Sequence, residues 1–194
     1  MNRIRESEIM NVEITSHIND GLIAEVVAMD HAAYRPDDQI TWERANALYH
    51  KVEDSLILLK NDSQTIGYIS VFFVNHDTVK HALENQRPIY KLPVSDLLDC
   101  DEINSDIYIH NIIIRPEYQR QGYRKLLFAG LKEWVNTHNK TDLIWADVVS
   151  VGGERALRAL GLVPWNSKSH TWCAKYQTML NSLQRIKTVH ELLS

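Results

Sequence analysis

Apolar residues recur along the chain with two spacings, and these spacings predict alternating strands and helices. Runs rich in β-branched residues favour strands at 12–16, 55–60, 65–74, 107–115 and 142–149. Spacings of three and four residues favour helices at about 20–34, 41–52, 121–138 and 154–160. Two more short strands are expected near 162–165 and 170–176. The resulting order, β-α-α-β-β-β-α-β-α-β-β, predicts an α/β fold with helices layered on a sheet.

The pattern is least determined between residues 76 and 106, where Pro88 and Pro93 interrupt it. We interpret this stretch as an insertion between the third and fourth strands, with one or two helical turns at 79–83. An apolar stripe predicts a C-terminal helix over about 178–193, which either packs on the core or forms a homodimer contact. No linker or internal repeat is visible, so we expect residues 1–194 to form a single domain with its core at about 12–176.

Composition excludes several classes of function. The net charge is −4, which argues against a nucleic-acid partner. Two cysteines do not indicate a disulfide framework, and the histidines show no zinc-ligand spacing, so we expect no metal. The sequence has neither a signal core nor an apolar run of membrane-spanning length, and it lacks the G-x-S-x-G elbow of hydrolases. A cytoplasmic protein is therefore expected.

The segment from Ile112 to Leu127 carries the strongest functional signal. An apolar strand stops at Arg115-Pro116, a turn with one glycine follows, and an amphipathic helix begins near Arg124. The first N–H groups of a helix have no internal acceptor and lie at the positive end of the helix dipole, so such a turn can bind an anion. Gly122 would allow a ligand to approach the backbone closely. The alternative is a positively charged turn that merely starts a helix.

This segment resembles the central motif of the GCN5-related N-acetyltransferase (GNAT) superfamily, a Pro-x-Tyr segment followed by [Arg/Gln]-x-x-Gly-x-[Gly/Ala]. Gln119 and Gly122 match the motif, whereas Arg124 replaces its small residue and would either crowd the phosphates or turn outward. The resemblance covers about 12–176 and implies a GNAT-like mixed sheet and acetyl-CoA as co-substrate. It implies that the following residues bind the cofactor: Ile112, Ile113, Ile114, Gln119, Arg120, Gln121, Gly122, Tyr123, Arg124, Lys125 and Ser150.

Transfer of an acetyl group to an amine needs a base, because an alkylammonium ion does not attack until it loses a proton. In arylalkylamine-type members of the superfamily a histidine nine residues before the first motif position serves as base, and here this position is His110. Tyr108, on the same face of the strand, falls where histone-type members carry a glutamate. The alternative for His110 is a core histidine.

The usual proton donor of the family is missing. Leu157 stands at the tyrosine position of the family's general acid, and Ser150 replaces a common asparagine. Tyr123, Tyr176 and Cys173 are the substitutes we consider, each with a structural alternative.

The resemblance also suggests where the acceptor binds. Tyr34 and Trp42 lie near the loop that lines the acceptor pocket in the family. Glu102 and Asp106 belong to an acidic end of the insertion, which either attracts a cationic amine or is a solvated loop.

We therefore expect an acetyl-CoA-dependent N-acetyltransferase that acts directly on a primary amine of a small molecule or peptide, assisted by His110. The alternatives are a coenzyme A-binding or regulatory protein without turnover and an acyltransferase that uses a longer acyl chain.

Overall fold

The computed structural model describes residues 10–15, 17–52, 54–62, 64–98, 105–138, 142–166 and 170–193. Within these ranges eight strands form one sheet: β1 (Met10–Thr15), β2 (Leu56–Asn61), β3 (Gln64–Asn75), β4 (Leu97–Leu98), β5 (Ser105–Ile114), β6 (Leu143–Asp147), β7 (Val163–Pro164) and β8 (Thr171–Lys175). The helices are α1 (Asp20–Ala33), α2 (Trp42–Lys51), α3 (His76–Glu84), α4 (Arg124–Thr137), α5 (Val151–Ala159), α6 (Tyr176–Gln184) and α7 (Val189–Leu193).

The sheet is mixed and open, as the sequence predicts. Its strand order is β1-β2-β3-β5-β6-β8-β7, and β4 pairs with β3. All pairs are antiparallel except β5 and β6, which run parallel. The single parallel pair places the carboxyl ends of two neighbouring strands at the same edge of the sheet.

Helices cover both faces of the sheet because the strands bury apolar side chains on both faces. Along β3, Ile69 and Phe73 pack in one hydrophobic cluster with α4, α5 and α6. Tyr68 and Phe72 pack in a second cluster with α1, α2 and α3. Neighbouring strand residues point to opposite faces, and the two clusters form the two halves of the core.

Two helices begin earlier than predicted, and side-chain caps explain both early starts. Asn75 Oδ1 accepts hydrogen bonds from the backbone N–H groups of Asp77 and Thr78, so α3 begins at His76 and is longer than expected. Ser150 Oγ accepts from Gly153 N at 3.0 Å, so α5 begins three residues before the predicted start. Such caps stabilise a helix by about 1 kcal/mol.

The C-terminal stretch forms two helices, α6 and α7, instead of the single helix expected over 178–193. Met179 and Leu183 are fully buried in the cluster that contains α4. This part of the apolar stripe is therefore core packing.

The described part of the insertion after α3 is tied to α2. Arg44 donates from one guanidinium nitrogen to the carbonyl oxygens of Tyr90 (2.8 Å) and Leu92 (2.7 Å). Lys51, two turns further along α2, donates to the carbonyl oxygen of Val94 at 3.0 Å. These contacts hold the segment after α3 across one end of the sheet.

Among the described helices, none combines the length and the hydropathy that a membrane span requires.

Candidate active site

The parallel strands β5 and β6 separate at the edge of the sheet where both end. Their register pairs Ile107 with Ile144 and Ile109 with Ala146, and within the described residues the pairing stops there, although β5 continues to Ile114. The register of β5 on β3 also shifts at this point, which leaves His110 as an extra residue between two paired positions. Bulges of this kind re-aim side chains and strengthen strand twist.

Two cavities open on this gap. The larger, of about 980 Å³, runs between the end of β5, the glycine turn and the first residues of α5. The smaller, of about 450 Å³, lies among α1, α2, the insertion and the end of β6. The residues that line both cavities are Tyr34, His110, Asn111, Asp147 and Val149. A molecule in one cavity can therefore meet a molecule in the other at His110 and Asp147.

The larger cavity fits an extended ligand with a phosphate group. Gly122 has φ +94°, and a Cβ placed on it would meet no atom within 4 Å, so the turn is open toward the cavity. The described backbone hydrogen bonds offer no acceptor to the N–H groups of Arg120, Gly122 and Arg124. Unpaired N–H groups at the start of a helix bind anions.

Cationic side chains add to this potential, because Arg120, Arg124, Lys125 and Arg155 all line the cavity. The Arg124 guanidinium lies 5.7 Å from the centre of the Phe128 ring, one turn further along α4. Arg124 thus extends along the helix and leaves the turn open.

All the predicted cofactor residues except Gln121 line this cavity. The Gln121 side chain donates instead to the carbonyl oxygen of Glu117 at 2.8 Å. Beyond Ile109, the edge of β5 that faces β6 carries no strand partner among the described residues. A chain-like ligand could pair with this edge as an added strand would.

His110 is partly buried between aromatic rings. Its Nδ1 lies 3.3 Å from Ser70 Oγ, and its ring meets the rings of Phe72 and Tyr108 edge to face. Burial, with a smaller contribution from the charge of Arg44, lowers the pKa of His110 to about 3. His110 is therefore neutral at physiological pH and can accept a proton, although weakly.

Tyr108 acts as a hydrogen-bond donor. Its hydroxyl donates to Asp147 Oδ2 at 3.3 Å, and burial, together with the charge of Asp147, raises its pKa well above the usual range. Tyr108 therefore stays protonated at neutral pH and lines the smaller cavity with its hydroxyl bound to a carboxylate.

Asp147 is one of the cavity-lining residues that the sequence analysis missed. It accepts from the backbone N–H of Tyr90 at 3.0 Å, from the Tyr108 hydroxyl and from the Thr171 hydroxyl. Burial raises its pKa despite these donors. The sequence signal that could have identified Asp147 is a carboxylate at the end of the otherwise apolar strand β6, which runs parallel to β5.

Asp30 was missed as well. It is 2% exposed, accepts from Ile40 N at 2.8 Å and from Asn111 Nδ2 at 3.4 Å, and burial raises its pKa to about 6. It lines the smaller cavity from α1.

The predicted acceptor residues separate in the structure. Tyr34 lines both cavities, whereas Trp42 and Asp106 line neither. Asp106 is buried at the start of β5, where it contacts His76 Nδ1 and Trp145 Nε1, each at 2.8 Å, and so joins β5 to β6. Glu102 lies outside the described residues.

Of the three substitutes for the general acid, Tyr123 lines the larger cavity, whereas Tyr176 and Cys173 line neither of the two cavities. The Tyr176 hydroxyl donates to the carbonyl oxygen of Val135 at 3.2 Å, and Cys173 packs on β8 opposite Trp145. Leu157, at the position of the missing tyrosine, lines the larger cavity with an apolar side chain.

The sequence profile described as "Acetyltransferase (GNAT) family" matches residues 23–160. The chain belongs to the GNAT acetyltransferase family. It is an acyltransferase of the N-acetyltransferase type, and the family generally uses acetyl-CoA. No curated protein sequence matches the chain significantly.

Solved structures show the same GNAT fold. The chain is similar to polyamine N-acetyltransferase from Drosophila melanogaster, with a TM-score of 0.57 and 10% identity over 86% of this chain and 100% of that one. It is similar to arylalkylamine N-acetyltransferase 2 from Aedes aegypti, with a TM-score of 0.55 and 11% identity over 86% and 99%. It also resembles a chain of the NatC complex bound to Gag peptide and CoA, with a TM-score of 0.56 and 10% identity over 86% and 94%.

Proposed function

We propose that this GNAT protein transfers the acetyl group of acetyl-CoA directly to a primary amine of a small molecule or peptide. The observation that supports this proposal best is the meeting of the two cavities at His110 and Asp147. Direct transfer requires both substrates at one point, and the end of pairing between β5 and β6, on which both cavities open, supports a meeting point there.

In this proposal the larger cavity binds acetyl-CoA. The backbone of residues 120–125 would hold the pyrophosphate, and the open edge of β5 at 112–114 would pair with the pantetheine arm. When bound, acetyl-CoA supplies an activated thioester. Arg120, Arg124 and Lys125 provide the positive charge that the phosphates require.

The smaller cavity binds the amine, and His110 assists its deprotonation through water. The imidazole is neutral at physiological pH and can accept a hydrogen bond from the water that takes the proton, although its low pKa makes it a weak base. Tyr108 and Asp147 lie beside it and bind each other, which fixes the polar wall against which the amine lies.

The thiol that leaves needs little help, because a thiol with a pKa of about 8.5 is already a good leaving group. Tyr123 is the candidate proton donor, since it lines the larger cavity. Leu157 cannot donate a proton from the position where the family usually places a tyrosine.

Acetyl-CoA binding, measured by calorimetry, tests the first part of the proposal. Gly122→Trp should abolish binding, because the indole would enter the open side of the turn. Glu133→Trp adds the same side chain to an exposed position of α4 away from both cavities, and its binding should equal that of the wild type.

Turnover is then followed as thiol release with a panel of primary amines. Release that depends on the amine supports the proposed function. Tight acetyl-CoA binding without amine-dependent release from any amine would refute it.

A further inference from the structure

Three cations face the smaller cavity from one side, and their described contacts are all with uncharged groups. Arg44 donates to the carbonyl oxygens of Tyr90 and Leu92, and Arg87 donates to the carbonyl oxygen of Lys91. The Lys91 ammonium group lies 5.5 Å from the centre of the Tyr90 ring. Among the described residues, no carboxylate forms an ion pair with any of the three.

Of these three charged groups, Arg44 is the most buried, so its charge loses the most hydration. Its guanidinium is partly buried, and burial together with the like charge of Arg87 lowers its pKa. Within the part of the chain that the structure describes, both hydrogen bonds of Arg44 come from a single nitrogen, and its other N–H donors have no described acceptor. Arg44 also lines the cavity. The like charge of Arg87 disfavours the charged form of Arg44, and a ligand oxyanion bound beside the two guanidinium groups would favour it.

The two buried carboxylates of the cavity accept hydrogen bonds from uncharged donors, whereas the exposed Asp37 and the half-buried Asp38 also line the cavity, and Asp38 Oδ1 accepts from the Tyr90 hydroxyl at 3.3 Å. Asp30 binds Ile40 N and Asn111, and Asp147 accepts from three donors on β5, β8 and the insertion. The cavity is thus divided. Its cations lie on α2 and the insertion, and its buried carboxylates lie toward the gap between β5 and β6.

We propose that the amine acceptor also carries an oxyanion, a carboxylate or a phosphate, which Arg44, Arg87 and Lys91 bind. This inference rests on the proposed function, because it names the substrate class of the same site. The oxyanion occupies the cationic side of the cavity, and the amine lies toward His110 and Asp147. A guanidinium group binds carboxylate and phosphate with paired hydrogen bonds, and about 450 Å³ suits a small zwitterionic molecule.

Calorimetric binding of matched probes tests this proposal without turnover. The carboxylate arm compares unbranched ω-amino acids of three to six carbons with the alkylamines that lack the carboxylate. The phosphate arm compares O-phosphoethanolamine with ethanolamine. We expect the oxyanion-bearing member of at least one arm to bind at least tenfold more tightly, and the arm that shows this preference identifies the oxyanion.

The variants assign the preference to the cations. Arg87→Gln changes an exposed side chain and should lower the affinity ratio between the oxyanion-bearing probe and its control about tenfold. Arg87→Lys should retain part of this ratio. Lys51→Gln is the matched control, because Lys51 also joins α2 to carbonyl oxygens of the insertion but does not line the cavity. The affinity ratio measured for Lys51→Gln should equal that of the wild type.

Equal binding of both members in both arms, undetectable binding included, overturns the proposal. So does a preference that Arg87→Gln leaves unchanged. Failure of the proposed function gives a different result, since the binding preference would persist while thiol release stays absent for every amine.

Discussion

His110 and Asp147 lie on neighbouring parallel strands at the point where the strands stop pairing, and both residues line both cavities. His110 reaches this position through the register shift on β3, whereas Asp147 is the last residue of β6. Burial acts on them in opposite directions, because it lowers the pKa of the histidine and raises the pKa of the carboxyl group. Each shift favours the uncharged form at the place where the two substrates would meet.

The low pKa of His110 predicts the shape of the pH profile. With a pKa of about 3 the imidazole is neutral above pH 5, so log kcat/KM should rise with pH as the amine deprotonates and should show no break near 6.5. His110→Gln should lower kcat by about 100-fold without changing this shape. Ser70→Ala, which removes the partner of Nδ1 but keeps the imidazole, should lower kcat much less. A break near 6.5 that disappears in His110→Gln would show that the histidine titrates normally.

A bound oxyanion should raise the pKa of His110. After burial, the charge of Arg44 is the cause that lowers the pKa of the imidazole. The other charged or titratable residues that line the smaller cavity with His110 are Asp30, Tyr34, Asp37, Asp38, Arg87, Tyr90, Lys91, Tyr108 and Asp147. An oxyanion on Arg44 offsets that charge, so the pKa should move from about 3 toward the ordinary range. NMR titration of ¹³C-labelled histidine with and without the acceptor measures the change. An unchanged pKa in the complex would mean that the oxyanion does not reach Arg44.

Much of the fold could be predicted from the sequence because the relevant signals are local. The glycine turn and the start of α4 follow from residues next to one another, and Gly122 has the positive φ that a glycine there suggests. Periodicity likewise placed the hairpin of β2 and β3 correctly.

The acceptor side of the site could not be predicted, because long-range packing assembles it. Arg44, Arg87 and Asp147 come from α2, the insertion and β6, and no local pattern links them. The sequence suggested that an acidic end of the insertion lies near the substrate; residues 99–104 of that end lie outside the described residues, and in the described part of the insertion the charged residues that line the cavity are Arg87 and Lys91. Asp106 is close to His110 in sequence, but four residues along a strand span about 13 Å, which puts it beyond the site.

The raised pKa of Asp30 predicts a pH-dependent stability difference. A carboxyl group whose pKa rises from 3.8 to about 6 on folding keeps its proton more readily in the native state, so its contribution to stability is present below pH 3.8 and is lost as pH rises through 6. Asp30→Asn removes this loss. The free energy of unfolding of Asp30→Asn minus that of the wild type should be larger at pH 7.5 than at pH 4, by about 2 kcal/mol. The variant is therefore relatively more stable at the higher pH. Urea unfolding at the two pH values measures it, and a difference that does not change with pH would contradict the raised pKa.

Two helical glycines should respond to alanine with opposite signs. In α4, a Cβ on Gly130 would lie 2.6 Å from Val12 Cγ1 and 2.7 Å from Ile57 Cγ2. Both neighbours are β-branched side chains of the sheet and cannot swing aside, so Gly130→Ala should lower the free energy of unfolding by about 2 kcal/mol despite the better helix propensity of alanine. In α5, a Cβ on Gly152 would meet only Ser150 Oγ at 3.9 Å, and Gly152→Ala should stabilise the fold by about 0.5 kcal/mol.

Gly130→Ala should also affect the proposed pyrophosphate site at residues 120–125, because the clash is relieved when α4 moves away from β1 and β2. The same helix begins at Arg124, directly after the glycine turn, and its first N–H groups form part of the proposed pyrophosphate site. We therefore expect Gly130→Ala to weaken acetyl-CoA binding measured by calorimetry, although Gly130 itself does not line the cavity. Loss of stability with unchanged acetyl-CoA affinity would show that β1 and β2 move and α4 does not. The position of α4 on the sheet would then not control the proposed pyrophosphate site.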